Sequence, residues 1–112
     1  MSTVTQVQLV APGLLTATAK SYYTAPALTP AKIGRAIFCN QDTAAHQISA
    51  NIGTGATSAN TFISTRNISP GETYVSPELA GVVLPPGESI WANAEAANVV
   101  VFSVSGVTIV NS

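Results

Sequence analysis

The chain has 112 residues, of which four are Lys or Arg and five Asp or Glu, so only 8% carry charge and the net charge is −1. A globular domain is ordinarily about a quarter charged, so roughly two-thirds of the usual complement is missing. Without a basic cluster the chain cannot neutralise a phosphate backbone, which argues against nucleic-acid binding. Its 46% hydrophobic fraction argues against disorder, and no apolar run approaches the roughly 20 residues of a membrane-spanning helix.

The length fits one domain spanning residues 1–112. The single Cys39 rules out an intramolecular disulfide, so stability must come from packing or assembly. The start, Met1-Ser2-Thr3-Val4-Thr5, has neither a basic nor an apolar leader region, so it does not read as a signal peptide and export by the usual route is not expected.

In chain order the pattern is period two, broken by Pro, Gly and Asn. Val4 to Val10 alternates, with Thr5, Val7 and Leu9 on one face and Gln6 and Gln8 on the other; Pro12-Gly13 then reads as a turn. Residues 1–10 form an edge strand or N-terminal arm in this reading. Leu14 to Thr24 is followed by Pro26 and Pro30, which forbid a helix and favour an extended crossing segment. Ile33 to Cys39 reads as a regular strand, with Ile33, Arg35, Ile37 and Cys39 opposite Gly34, Ala36 and Phe38. Asn40 to Thr43 is a turn whose side chains can bond their own backbone.

The cleanest alternation follows: His46, Ile48, Ala50 and Ile52 share one face, Gln47, Ser49 and Asn51 the other. Gly53 to Asn60 is a small-residue loop, and Thr61 to Ile68 a strand with Phe62 as its expected core residue. Ser69-Pro70-Gly71-Glu72-Thr73 and Pro85-Pro86-Gly87-Glu88-Ser89 share type II turn chemistry, Pro fixing φ and Gly supplying the positive φ. Between them lie a short strand from Tyr74 and a loop through Pro77 and Gly81 to Leu84. Ser89 to Ala94, carrying Trp91, and Val99 to Val110 complete the set. About eight short strands at this spacing predict an all-β, antiparallel β-sandwich, jelly-roll-like.

Catalytic groups are scarce. His46, the one histidine, faces Cys39 across a short turn, a conceivable nucleophilic pair; a cyclic trimer would bring three His46 rings to one axis as metal ligands. Neither reading outweighs a strand-start histidine with ordinary hydrogen bonds. A reactive Cys39 needs a cation, and Arg35 sits about 13 Å along the strand. Among Asp42, Glu72, Glu78, Glu88 and Glu95, the equivalent turn positions of Glu72 and Glu88 suggest a carboxylate pair at one end of the sandwich, as glycoside hydrolysis would require. No sugar platform accompanies them. Gly53-Thr54-Gly55 lacks the Lys and helix of a phosphate loop, and Asn67-Ile68-Ser69 is a glycosylation triplet followed by Pro70. Tyr22, Tyr23, Tyr74 and Trp91 are candidates for a glycan-stacking surface. The chain is read as a non-enzyme, with no catalytic, cofactor or metal site assigned.

The low charge bears on assembly instead. A neutral surface of Ala, Thr, Ser and Val suits burial against copies of itself, and Lys20 and Lys32 are the only lysines available to protect strand edges. An obligate cyclic oligomer, most simply a homotrimer, is the expectation.

Tyr23-Thr24-Ala25-Pro26, Ile33 to Asn40, Val83-Leu84-Pro85-Pro86-Gly87-Glu88-Ser89-Ile90-Trp91-Ala92 and Val101-Phe102-Ser103-Val104-Ser105-Gly106-Val107 together resemble small structural proteins of tailed-bacteriophage virions. The resemblance spans roughly residues 22–110 and rests on strand-and-turn grammar, with no active-site motif to carry over. It implies a β-sandwich virion component without enzymatic activity, often trimeric. The first role implied is capsid decoration (cement), bound to itself and to the major capsid protein. The alternatives are a tail or fibre adaptor contacting tail proteins, and a glycan-binding adsorption module.

Overall fold

A computed structural model describes residues 2–111. Nine strands form two antiparallel sheets: β1 (Ser2–Leu14), β2 (Lys20–Thr24), β3 (Ala31–Asn40), β4 (His46–Gly53), β5 (Thr61–Ile68), β6 (Thr73–Val75), β7 (Val83–Leu84), β8 (Ser89–Ala94) and β9 (Val100–Asn111). The first sheet has the order β1-β9-β3-β6, with β7 also on β3; the second has the order β2-β8-β4-β5. The chain passes between sheets at almost every connection, so two Greek keys wrap into one sandwich. This is the jelly-roll arrangement. No helix among the described residues is long and apolar enough to cross a membrane.

The alternation of strand directions sorts the connections into two ends. At one end the β1–β2, β3–β4, β5–β6 and β8–β9 connections are tied together: Asn40 N–H donates to Glu72 O (3.0 Å), Gln41 N–H to Val99 O (3.0 Å) and Leu15 N–H to Val100 O (2.8 Å). At the other, Ala25 N–H donates to Glu88 O (2.9 Å) and the Trp91 indole to Gly53 O (3.1 Å). These are called the Asn40 end and the Ala25 end below.

The two Pro-Gly-Glu turns form as their residues dictate. Gly71 and Gly87 take φ of 73° and 89°, a region where a side chain is costly. Each turn clips the last residue of a strand or the one after it. Asn40 donates to Glu72 O and accepts from Gly71 N–H; Ala25 donates to Glu88 O and accepts from Gly87 N–H.

The core is aromatic on the first sheet and small on the second. Phe38 and Phe102, directly opposite each other in register, stack at 4.7 Å, and Tyr22 meets Phe102 edge-on at 5.5 Å. On the second sheet Ala50 stands opposite Ala92 and Ile48 opposite Ala94, all fully buried. One buried polar side chain anchors the Asn40 end. Asn40 Nδ2 donates to Ala44 O (2.9 Å) and Ile68 O (3.0 Å), and its Oδ1 accepts from Asp42 N–H (2.9 Å).

Four expectations need correction, and three trace to β-bulges, in which one extra residue reverses the faces of everything beyond it. Pro12-Gly13 is not a turn: β1 continues through it, with register shifts at Gln8/Val10 and Val10/Gly13. Proline is tolerated there because β1 is an edge strand and its outward side needs no N–H donor. Residues 2–8 are in register with β9, so this segment is a paired edge strand; Met1 lies outside the described residues. On β3 a bulge between Ile33 and Arg35 puts Ile33 on the buried face with Ala36 and Phe38, not with Arg35 and Ile37. On β5, shifts between Ile48/Ala50 and Ala50/Asn51 turn Ile63 inward and leave Phe62 40% exposed, so Phe62 is not a core residue. The fourth is the supposed Cys39–His46 pairing. β3 and β4 lie in different sheets; Cys39 stands opposite Thr73 and Val101, His46 opposite Ile68.

Candidate functional site

His46 is the best-defined polar centre. Its Nε2 lies 2.7 Å from Asp42 Oδ2 and its Nδ1 3.0 Å from Glu95 Oε1, and Glu95 Oε1 also accepts Gln47 N–H at 3.2 Å. Asp42 comes from the β3–β4 loop, held by Asn40 Oδ1 and in turn accepting Thr43 N–H. Glu95 follows β8, whose neighbour is β4. A neutral imidazole donates from one nitrogen only, so two carboxylate acceptors demand the imidazolium. The hydrogen bond to Asp42 is the main cause of a raised His46 pKa, opposed by burial and reinforced by Glu95. Asp42 is held below the ordinary carboxylate range by His46, then by Thr43 N–H.

This arrangement is a clasp between loops rather than a catalytic set. The carboxylates lie on opposite sides of the ring and diverge, so they cannot chelate one ion together with it. Among the described residues no group of three or more His, Cys, Asp or Glu is placed to hold a metal. The Asp42–His46 half was open to reading from sequence, being four residues apart across a turn. Glu95, 49 residues from His46, was not.

The other carboxylates are dispersed. Glu72 is clipped to Asn40 at the far end of β3, while Glu88 is clipped to Ala25 just before its start. Ten residues of strand separate those ends, about 30 Å by strand rise. The expected carboxylate pair at one end therefore does not form. Glu78 instead accepts from Tyr74 OH and from Ser76 Oγ (3.1 Å). Burial works to raise the Glu78 carboxyl, but these hydrogen bonds outweigh it and hold it low. The Tyr74 hydroxyl is pushed up by burial and by that same bond, and Arg66 covers the ring at 4.3 Å.

The aromatics do not form one exposed platform. Tyr22 and Tyr23 pack against the core, Tyr74 is 8% exposed, and Trp91 is half-buried on the outer face of the second sheet. Gly53 to Gly55 leads into a single 3-10 turn, Ser58–Asn60, where Asn60 Nδ2 donates to Gly55 O. That amide donates within the chain, in a loop facing no helix N-terminus.

The fold defines a class, the eight-plus-strand jelly roll. Two of the solved structures it matches come from one virus. One neighbour is a chain of the T13 IBDV viral particle, at TM-score 0.58 and 8% identity, covering 96% of this chain and 30% of that one. Another is a chain of infectious bursal disease virus Gx strain, at TM-score 0.54 and 13% identity, covering 97% of this chain and 32% of that one. The chain thus spans about a third of each neighbour's length, and at these identities the likeness is one of fold. No protein-family model matches the sequence. No curated protein matches it.

Proposed function

We propose that this chain is a non-enzymatic structural protein of a virus particle, and that within the particle it acts as a decoration (cement) protein, as its resemblance to tailed-phage virion proteins implies. The observation that carries the reading is the jelly roll itself, superposable over 96% of the chain on a chain of a viral particle. The sparse charge of the surface points the same way, since 9 charged residues leave broad neutral faces suited to protein contact. Copies assemble as a cyclic oligomer, a homotrimer, and bury area against shell subunits, stabilising the assembled particle by mass action. The contact strand is β1, whose outer edge has no neighbour in the sheet and carries Val4 at 61% and Val7 at 37% exposure. A tail or fibre location uses the same contacts. Glycan adsorption is less well supported, because Tyr22 and Tyr23 pack inward.

Two measurements test this. Light scattering at micromolar concentration should find an oligomer; a stable monomer rejects the cyclic assembly. Removing residues 3–8 deletes side chains that are exposed, leaving core residues from Leu9 onward. The sandwich should stay folded while occupancy on particles falls, and unchanged occupancy rejects β1 as the contact strand.

A further inference from the structure

The outer face of the first sheet carries a groove of about 520 Å³ lined by Gln6, Val7, Gln8, Gly34, Ser105, Gly106 and Val107. Its walls follow from register. Gln8 stands opposite Ser105, which stands opposite Arg35; Gln6 stands opposite Val107, which stands opposite Lys32. Residues directly opposite in antiparallel strands share a face, so each rung has a glutamine amide on the β1 side, a small floor residue on β9 and a cation on the β3 side. The rungs are two residues apart on β1 and β9, about 7 Å, and the walls are two strand spacings apart, about 10 Å.

A bulge creates the cationic wall. Lys32 and Arg35 are three apart, and in a regular strand they would point to opposite faces. The extra residue Gly34, skipped in the register between Ile33–Gly106 and Arg35–Ser105, turns both outward. Bulges commonly re-aim side chains in this way beside functional sites. Gly34 keeps the floor low, since it presents only backbone to the groove.

The cations are also the two that the chain does not use. Lys20 lies over the Tyr22 ring at 5.4 Å and Arg66 over the Tyr74 ring at 4.3 Å. Lys32 and Arg35 are exposed, and among the described residues neither has an acidic partner, the ion pairs being those of His46. In a chain with four basic residues, half stand exposed on β3 beside one groove, flanking its lining residue Gly34, without an acidic partner among the described residues.

We propose that this groove docks an extended, acidic segment of a partner protein, with carboxylates at alternate positions. An extended chain repeats its side-chain direction every two residues, about 7 Å, which matches the rung spacing. Its carboxylates meet Arg35 and Lys32, and its backbone amides meet Gln6, Gln8 and Ser105. Two cations supply too little charge for a nucleic-acid backbone, and Val107 suits a peptide's apolar side chain. The inference concerns a heterologous partner and does not depend on the virion reading.

The test uses the full chain and a fluorescein-labelled octapeptide alternating Glu and Val, with an alternating Lys and Val peptide and a short oligodeoxythymidylate as comparisons. The acidic peptide should bind by fluorescence anisotropy and shift the amide resonances of Gln6, Gln8, Ser105 and Gly106. Lys32→Gln and Arg35→Gln should each weaken binding about threefold and the double variant about tenfold, with affinity falling as salt rises. Gly34→Val, which keeps both charges and fills the floor, should also weaken it. Absence of binding, shifts elsewhere, or equal binding of the oligonucleotide overturns the proposal. So does a finding by sedimentation that the groove variants dissociate an oligomer of the chain, because the occupant is then a second copy.

Discussion

Gly106 sits where the central strand of the first sheet is most tightly flanked, opposite Val7 on β1 and Ile33 on β3. A Cβ at this position would overlap the Lys32 carbonyl oxygen and lie 3.0 Å from Leu9 Cδ1. The first neighbour is backbone and cannot rotate away. Gly106→Ala therefore forces β3 and β9 apart locally, stretching about two ladder hydrogen bonds worth about 1 kcal/mol each. It also displaces the buried Leu9, costing about 1–3 kcal/mol as overpacking. The total, about 3–5 kcal/mol, is a fifth or more of the roughly 5–15 kcal/mol typical of a domain. Gly34→Ala is the matched control. Its nearest neighbour is Ser105 O at 3.4 Å, an ordinary contact, and Gly34 has no positive φ. Urea unfolding followed by tryptophan fluorescence should show a midpoint roughly 2 M lower for Gly106→Ala, using an m-value of about 2 kcal/mol/M. Gly34→Ala should lie within about 0.5 kcal/mol of the parent. Equal midpoints for the two variants would refute the close approach of β3 and β9 on which the groove geometry rests.

Asn40→Ala removes three hydrogen bonds and strands the Ala44 and Ile68 carbonyls and the Asp42 N–H, so unfolding experiments should record a loss of about 2–4 kcal/mol; a loss below 1 kcal/mol contradicts the anchor. Phe102→Ala deletes a ring in contact with both Phe38 and Tyr22, and calorimetry should find about 3–5 kcal/mol lost, more than for the half-exposed Phe62→Ala. The His46 clasp has a defined pH signature. Because its folded pKa is raised above 6.5, its stabilisation is complete below about pH 6.5 and disappears as pH rises through the folded value. The melting temperature should fall across that alkaline window in the parent but not in His46→Gln, and parallel curves would dissociate His46 from the effect. On the acid side the lowered Asp42 pKa works oppositely, its contribution fading as pH falls through the folded value.

The architecture was legible where local chemistry alone decides it. Pro-Gly at the two turns, the alternation of His46 to Ile52, and the absence of helical periodicity each act within a few residues, and the strands lie close to where they were expected. The face assignments on β3 and β5 and the turn expected at Pro12-Gly13 failed for one shared reason. A bulge adds a residue without changing composition or hydropathy, so an alternating pattern stays plausible while its phase has reversed. Gly34 was the available signal on β3, since an isolated glycine within a strand pattern marks a bulge or a close backbone approach. The His46 clasp was half legible, because Asp42 is local and Glu95 arrives through the jelly-roll wrap, which no spacing rule encodes.

The scarcity of charge acquires a different meaning once each charged group is placed. Asp42 and Glu95 hold His46, Glu78 accepts from Tyr74 and Ser76, and Glu72 Oε1 accepts Ser69 N–H at 2.8 Å. Lys20 and Arg66 cover tyrosine rings. Four of the nine charges thus stabilise turns and connections, where an isolated soluble domain would spread them over its sheet faces. Lys32 and Arg35 depart from that pattern, and a bulge turns both outward on the same face, beside one groove. Random retention of surface charge gives no reason for the two to converge, or for glutamines to stand across from them in register. Recognition of an acidic strand accounts for both, and it makes this face, rather than the clasp or the aromatic residues, the place where specificity resides.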